Sequence, residues 1–282
     1  MPASPANPLC EVPWEQFTTG ERIRHLEVEG FVVLPRVLDQ ARLDQLRAEL
    51  RAIKTTASDA TPLKQVFNDI QWAGGALTEL IAHPPVIGFL ETLMGPEIVM
   101  MTYDYSRSEP GAPGINLHSD GQPWGSRIFG LEQSCPKLVR VLYYLEDLTP
   151  ERAAFRVVPR SHLSFHADSN PYLRYHEHPD QLMVCCPAGS ACLINQNVFH
   201  GNYPNHSDQA RELLGIAYRP GWSGPCGEVP EWDPAELARV PATVRRLMGS
   251  RNQRRWDFDA ASSRPDLPCA APGLNLDRWH KA

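Results

Sequence analysis

Between about residue 97 and residue 219 the chain is a succession of short apolar segments closed by Gly and Pro, with no helical periodicity between them. Glu97–Ser106, Lys137–Glu146, Phe155–Val158, Leu182–Cys185, Ser190–Asn195 and Glu212–Arg219 are rich in Val, Ile, Leu and Tyr. Such residues fit a pleated, half-buried surface. A parallel α/β sheet needs a helical crossover between parallel neighbours, and none is encoded here. A sandwich, jelly roll or barrel is therefore expected. Proline points the same way: 27 of 282 residues is about twice the usual share of roughly 5%. Proline is excluded from helix interiors and central strands, so the chain must be rich in turns and edges.

The N-terminal third reads differently. Thr18 with Glu21 forms a capping box, and Ile23 and Leu26 follow at helical spacing before Gly30. Phe31–Leu34 is an apolar run stopped by Pro35, which predicts a strand. Asp39 caps a further helix whose Leu43, Leu46, Leu50 and Ile53 make one apolar stripe. A helical pair follows over Leu77–His83 and Pro84–Leu93, with Pro84 or Pro85 in a first turn and Gly95 as the stop. After Gly221 a Pro-rich tail holds one predicted helix, Pro234–Met248. The expected organisation is a single domain over 1–282: a mostly helical part at 14–96, a β core at 97–222 and a tail at 223–282 packed on that core. Two loops, 107–114 and 159–179, are long or Gly/Pro-rich enough to serve as lids or binding loops.

Charge and cysteine usage exclude several functions. With 27 Lys and Arg against 33 Asp and Glu, the net charge is −6. That disfavours nucleic-acid binding and a polybasic membrane surface. No run approaches 18 apolar residues, so no membrane span is expected. The opening Met1–Pro5 lacks the charged and apolar regions of a secretory signal. Seven cysteines, an odd number with no Cys-x-x-Cys pair, read as reduced thiols of a cytoplasmic protein and not as a zinc site.

The chemistry starts at His118-Ser119-Asp120. Residues two apart on a strand face the same side, so an imidazole and a carboxylate can meet one ion. A third ligand is available in His200, which ends a β segment after Val198-Phe199. Two His and a carboxylate on one side of an ion make the facial triad of non-haem Fe(II) oxygenases, with three positions open. Zinc hydrolases use the same ligand types, so the triad does not choose the metal. Arg211, eleven residues after His200, bears on that choice. Its guanidinium fork suits the distal carboxylate of a 2-oxo diacid chelated by the metal; the plainer reading is a surface salt bridge. Tyr103, Tyr105, Arg107, Trp124 and Trp222 are candidate substrate contacts, with core packing or a solvated loop as their plainer roles. The spacings His162/His166 and His176/His178 suggest no second metal site. His162 is expected to make a structural hydrogen bond in its turn.

The motifs together resemble the phytanoyl-CoA dioxygenase family of Fe(II)/2-oxoglutarate-dependent oxygenases over residues 17–222. Gly30-Phe31-Val32-Val33-Leu34-Pro35 with Val37-Leu38 resembles the family's opening, and His83-Pro84 and Leu93-Met94-Gly95 its helical pair. His118-Ser119-Asp120-Gly121 matches the first metal motif. Leu145-Glu146-Asp147 and Val157-Val158-Pro159-Arg160-Ser161-His162 resemble the mid-domain strand and its Pro-x-Ser-His turn. Gly189, His200-Gly201, Asn205, Ser207, Arg211 and Tyr218-Arg219-Pro220 match the final block.

The resemblance implies a mainly β fold with flanking α: a double-stranded β-helix (jelly roll, cupin-like) with N-terminal helices packed outside. It implies Fe(II) on His118, Asp120 and His200, with Arg211 anchoring 2-oxoglutarate. Where the family often has Ser two residues after the distal His, Asn202 stands here and is assigned to the co-substrate carboxylate. Arg152-Ala153 replaces the usual Asn-Gly turn. Related halogenases replace the Asp by a small residue; Asp120 favours hydroxylation. The implied activity is dioxygen-dependent oxidation of a small organic molecule, a secondary-metabolite or lipid-like intermediate, with release of succinate and CO2. Two alternatives stay open from the residues alone: a two-His/carboxylate metalloenzyme that does not use 2-oxoglutarate, and a non-catalytic jelly-roll metabolite binder. The sequence is silent on oligomeric state.

Overall fold

A computed structural model of the chain describes residues 8–120, 137–163, 176–225 and 228–254. Helix α1 (Thr19–Glu29) starts on the expected capping box: Thr18 Oγ1 accepts from the Glu21 amide, and the Glu21 carboxylate accepts from the Thr18 amide. It stops at Gly30, whose φ of 85° belongs to the left-handed region. Strand β1 (Phe31–Leu34) follows, fully buried, and then α2 (Gln40–Leu50), capped by Asp39. Helices α3 (Gly75–Glu79) and α4 (Pro84–Met94) form the predicted pair, with Pro84 in the first turn and Gly95 at the stop. Each long helix turns its apolar stripe inward: Ile23 and Leu26; Leu43, Leu46 and Leu50; Val86, Leu90 and Leu93.

The segment between α2 and α3 departs from expectation. It holds a hairpin, β2 (Thr56–Ser58) and β3 (Thr61–Asn68), in a stretch read as mostly helical. Its residues are largely polar and half-exposed, so it lacks the alternation that betrays a strand. The remaining strands are β4 (Ile98–Ser108), β5 (Ile115–His118), β6 (Val139–Tyr144), β7 (Phe155–Val157), β8 (Leu182–Val184), β9 (Ala191–Asn195), β10 (His200–Asn202) and β11 (Arg211–Pro220). Among the described residues they form two antiparallel sheets, ordered β1-β9-β6-β11-β4-β3-β2 and β5-β10-β7-β8. This is the expected double-stranded β-helix with helices outside. The sheet boundary does not fall at residue 97: β1 and the β2–β3 hairpin complete the larger sheet from the N-terminal side.

Alternation along the larger sheet separates two faces. Tyr103, Tyr105, Val141, Tyr143, Leu214, Ile216 and Tyr218 belong to the main core, together with the inward residues of α1, α2 and α4. Tyr218 Oη donates to the Ile81 carbonyl, tying β11 to that helical layer. The opposite face looks toward the smaller sheet and encloses a cavity.

The tail folds onto the end of β11. The predicted helix over 234–248 is two short ones, α5 (Pro234–Leu237) and α6 (Ala242–Arg245), divided at Pro241. Arg219, 1% exposed, donates to the carbonyls of Pro220, Gly221, Ser223, Ser250, Arg251 and Gln253. One guanidinium thus knots the end of β11 to the tail.

Candidate active site

Strand pairing builds the site. His118 is the last residue of β5 and His200 the first of β10, and the two are register partners. Their rings lie 4.6 Å apart, centroid to centroid. Gly201 makes this approach possible: a Cβ there would collide with the Ile115 carbonyl oxygen and lie 3.1 Å from Arg156 Nε. The His200-Gly201 pair therefore has a steric reason. His118 Nδ1 donates to the Asn116 carbonyl (2.8 Å) and His200 Nδ1 to the Val198 carbonyl (3.0 Å). Each bond sets the tautomer that presents Nε2 to the cavity.

Asp120 lies two residues past the end of β5, held by its amide on the Gln196 carbonyl (2.8 Å). Its Oδ1 is 3.6 Å from His118 Nε2 and its Oδ2 3.6 Å from His200 Nε2. The three ligand atoms lie within 4.8 Å of one another. Burial would raise the Asp120 pKa, but His200, Arg140 and His118 outweigh it and hold the carboxyl below its usual range. The group is ready to bind a cation. His118 and Asp120 thus turn toward one point, although only His118 is on a strand.

The cavity has a volume of about 180 Å3 and lies between the two sheets. Its larger-sheet wall is a set of register rows. Arg211, Ser108 and Lys64 are cross-strand neighbours on β11, β4 and β3. Next come Tyr144, Leu213, Ser106 and Val66, and then Leu142, Gly215, Asp104 and Asn68. Arg211 is 2% exposed, and its Nε and Nη1 have no hydrogen-bond partner among the described residues. Its guanidinium lies over the Tyr144 ring at 5.9 Å. Burial pushes the Lys64 ammonium down to about 8, and the Arg211 charge adds to the effect. Two cations, Lys64 and Arg211, therefore line the same end of the cavity.

The other sequence candidates divide. Asn202 lines the cavity, buried, with Nδ2 donating to the Tyr203 carbonyl. Tyr103 and Tyr105 do share one face, but it is the core face: Tyr103 is fully buried, and Tyr105 Oη donates to Glu212 at 2.5 Å. The wall instead takes Asp104 and Ser106 from that strand. Arg107 is exposed and pairs with Glu109 at 2.9 Å. Trp222 is half-buried beyond the end of β11 and does not line the cavity. Trp124 and His166 lie outside the described residues. His162 Nε2 donates to the Glu27 carbonyl at 3.0 Å, which locks its turn against α1. Ala153, in the turn where the family usually has Gly, takes a left-handed φ of 46°, so the altered sequence keeps a glycine-like backbone at some steric cost. Sequence reasoning missed Lys64 and Arg140. Both line the cavity, and neither belongs to a local motif.

Comparison with known proteins decides the family. The phytanoyl-CoA dioxygenase profile matches residues 26–213. The chain belongs to the phytanoyl-CoA dioxygenase family. It is accordingly an Fe(II)/2-oxoglutarate-dependent dioxygenase, an oxidoreductase whose co-substrates are 2-oxoglutarate and dioxygen. Among curated relatives of this phytanoyl-CoA dioxygenase family member, the ectoine dioxygenase of Nocardia farcinica is 22% identical over 243 residues, covering 74% of this chain and 78% of the relative. Dioxygenase trt7 of Aspergillus terreus is 30% identical over 112 residues, 39% of this chain. The match spans only 37% of the length of trt7. Two solved structures share the fold. The epimerase SnoN, in complex with Fe3+, α-ketoglutarate and nogalamycin RO, has a TM-score of 0.61 at 19% identity, covering 85% of this chain and 96% of its own. HygX of Streptomyces hygroscopicus, with nickel and 2-oxoglutarate bound, has a TM-score of 0.61 at 18% identity, covering 74% and 91%. None of the described helices is long and apolar enough to cross a membrane.

Proposed function

We propose that His118, Asp120 and His200 hold the Fe(II), that Arg211 anchors the distal carboxylate of 2-oxoglutarate, and that the enzyme hydroxylates a small polar metabolite. The donor set fits the ion, with two imidazole nitrogens and one carboxylate oxygen converging on one point. When bound there, Fe(II) couples oxidative decarboxylation of 2-oxoglutarate to substrate oxidation by dioxygen, with release of succinate and CO2.

The observation that carries the reading is Arg211. A buried guanidinium with orphaned Nε and Nη1 is costly unless a ligand satisfies it. An anionic fork-matching carboxylate is the natural partner, and Lys64 in the same row adds a second positive charge. Tyr144, packed under the guanidinium, holds it in the wall. Phe155 adds an apolar surface beside His200, with ring centroids 6.2 Å apart.

The substrate side of the cavity carries Asp104, Arg140 and Ser106, with Asn202 kept for the co-substrate carboxylate. A lipid chain would meet a polar wall there, so a secondary metabolite with hydrogen-bonding groups fits better than a lipid-like one. Relatives of the fold take such molecules: HygX has been solved with hygromycin B, and SnoN with nogalamycin RO. Asp120 occupies the ligand position that a halogenase vacates, which supports hydroxylation. The unpaired thiols of Cys10, Cys185, Cys186 and Cys192 support a reducing, cytoplasmic setting.

The test is anaerobic titration of the Fe(II)-loaded chain with 2-oxoglutarate, read by the weak visible charge-transfer band of the chelate. The band is expected in the wild type and absent in His200→Ala. Metal uptake with no band would remove the co-substrate reading and bring a hydrolase or a metabolite binder forward.

A further inference from the structure

Arg140 stands at a junction that neither the motif nor the family match assigns. It is on β6, one row beyond Leu142, where it pairs in register with Ala217 of β11. Its Nη1 donates to Asp120 Oδ2 at 2.9 Å, and its Nη2 lies 3.5 Å from Asp104 Oδ2 on β4. The guanidinium therefore crosses β11 to link two carboxylates. It has room to do so, because the cavity-facing residues of β11 in these rows are Ala217 and Gly215.

We propose that Arg140 is a positioning residue for Asp120. Its fork fixes the carboxylate rotation by holding Oδ2, and Asp104 braces the guanidinium from the far side. This rests on the reading of Asp120 as a metal ligand. The need for such a device is visible in the backbone. His118 and His200 are fixed by strand pairing and by Nδ1 bonds to carbonyls. Asp120 has left the strand, and its own amide bond to Gln196 places its Cα but leaves its side-chain torsions open. The hydrogen bond from Arg140 to Oδ2 closes that freedom. Arginine suits the task because its planar fork spans two carboxylates in a fixed geometry, which a flexible lysine does not impose.

The opposing effect is electrostatic. A guanidinium beside a divalent cation repels it, so a purely electrostatic Arg140 would weaken metal binding and its removal would tighten it. Positioning predicts the reverse, because loss of an outer-shell partner costs about 10–100-fold in metal affinity.

The experiment is calorimetric titration of the metal-free full chain with Ni(II), with the Co(II) visible spectrum as a probe of ligand geometry. Arg140→Met should bind Ni(II) about 10–100-fold more weakly and shift the Co(II) bands, with its unfolding midpoint kept, since the side chain is 30% exposed. Arg140→Lys should recover part of the affinity through a single donor. Asp104→Asn, which leaves Arg140 in place, should cost several-fold by removing the brace. Wild-type or tighter binding by Arg140→Met would overturn the proposal alone, as would Arg140→Lys binding no better than Met. A wild-type chain that takes up no Ni(II) would overturn the metal-site reading and this one with it.

Discussion

Replacing Arg211 with Met should have opposite effects on the empty protein and on its complex with co-substrate. The guanidinium is 2% exposed, and its Nε and Nη1 have no hydrogen-bond partner among the described residues. Burial works against its charge, and Tyr144 and Glu146 favour it. Replacing such a charge with an apolar side chain of similar length is commonly neutral or stabilising by about 1–4 kcal/mol. The lost ring contact subtracts about 0.5–1 kcal/mol. The metal-free Arg211→Met chain should therefore unfold at or above the wild-type midpoint, by roughly 2–4 °C for each kcal/mol gained. The complex behaves otherwise. Truncating one partner of a buried, hydrogen-bonded charge pair costs about 2–5 kcal/mol, and each 1.4 kcal/mol is about tenfold in Kd. Binding of 2-oxoglutarate should weaken by about 30-fold to about 4000-fold, with Ni(II) affinity unchanged. Calorimetry of the metal-loaded proteins and thermal scans of the metal-free ones read both effects. An unchanged Kd would transfer the anchor to another cation. A metal-free variant less stable than wild type by more than about 1 kcal/mol would show that Arg211 is structural.

Lys64 should make co-substrate binding pH-dependent. Its ammonium is held down to about 8 in the empty cavity, and a bound dianion favours the charged form. Binding therefore takes up a proton above that value, so the Kd should be flat below pH 8, rise through the window above it, and lose this slope in Lys64→Met; a slope retained in the variant would assign it elsewhere. Arg219→Met leaves six backbone carbonyls of β11 and the tail without their shared donor. It should cost about 3 kcal/mol or more in urea unfolding and expose the tail to protease, whereas a loss under about 1 kcal/mol would mean that water replaces the guanidinium freely.

What was legible in the sequence was whatever depends on near neighbours. The capping box at Thr18, the stop at Gly30, the strand Phe31–Leu34 and strands β4, β6, β7, β8, β9 and β11 are local and stand in the structure, whereas β5 and β10 do not separate as strands in the sequence and His200 begins β10 where a segment end is expected. The proline rule applied fully would also have split the helix at Pro241. What was not legible depends on register and on which side each face is covered. Alternation shows that Tyr103 and Tyr105 face together, but the helical layer claims their side and leaves Asp104 and Ser106 to the cavity. Lys64 becomes a neighbour of Arg211 through two strand pairings, β3 with β4 and β4 with β11, made by residues far apart in the chain. Arg140 reaches Asp120 across twenty residues and Asp104 across an intervening strand. The residues proposed to hold the ion were thus marked by spacing. Those that tune its surroundings are marked by charge alone, in strands whose pairing only the folded sheet reveals. A buried cation in a half-polar strand such as Lys64-Gln65-Val66 is the trace such a site leaves. It acquires meaning when an orphaned guanidinium stands in the same row.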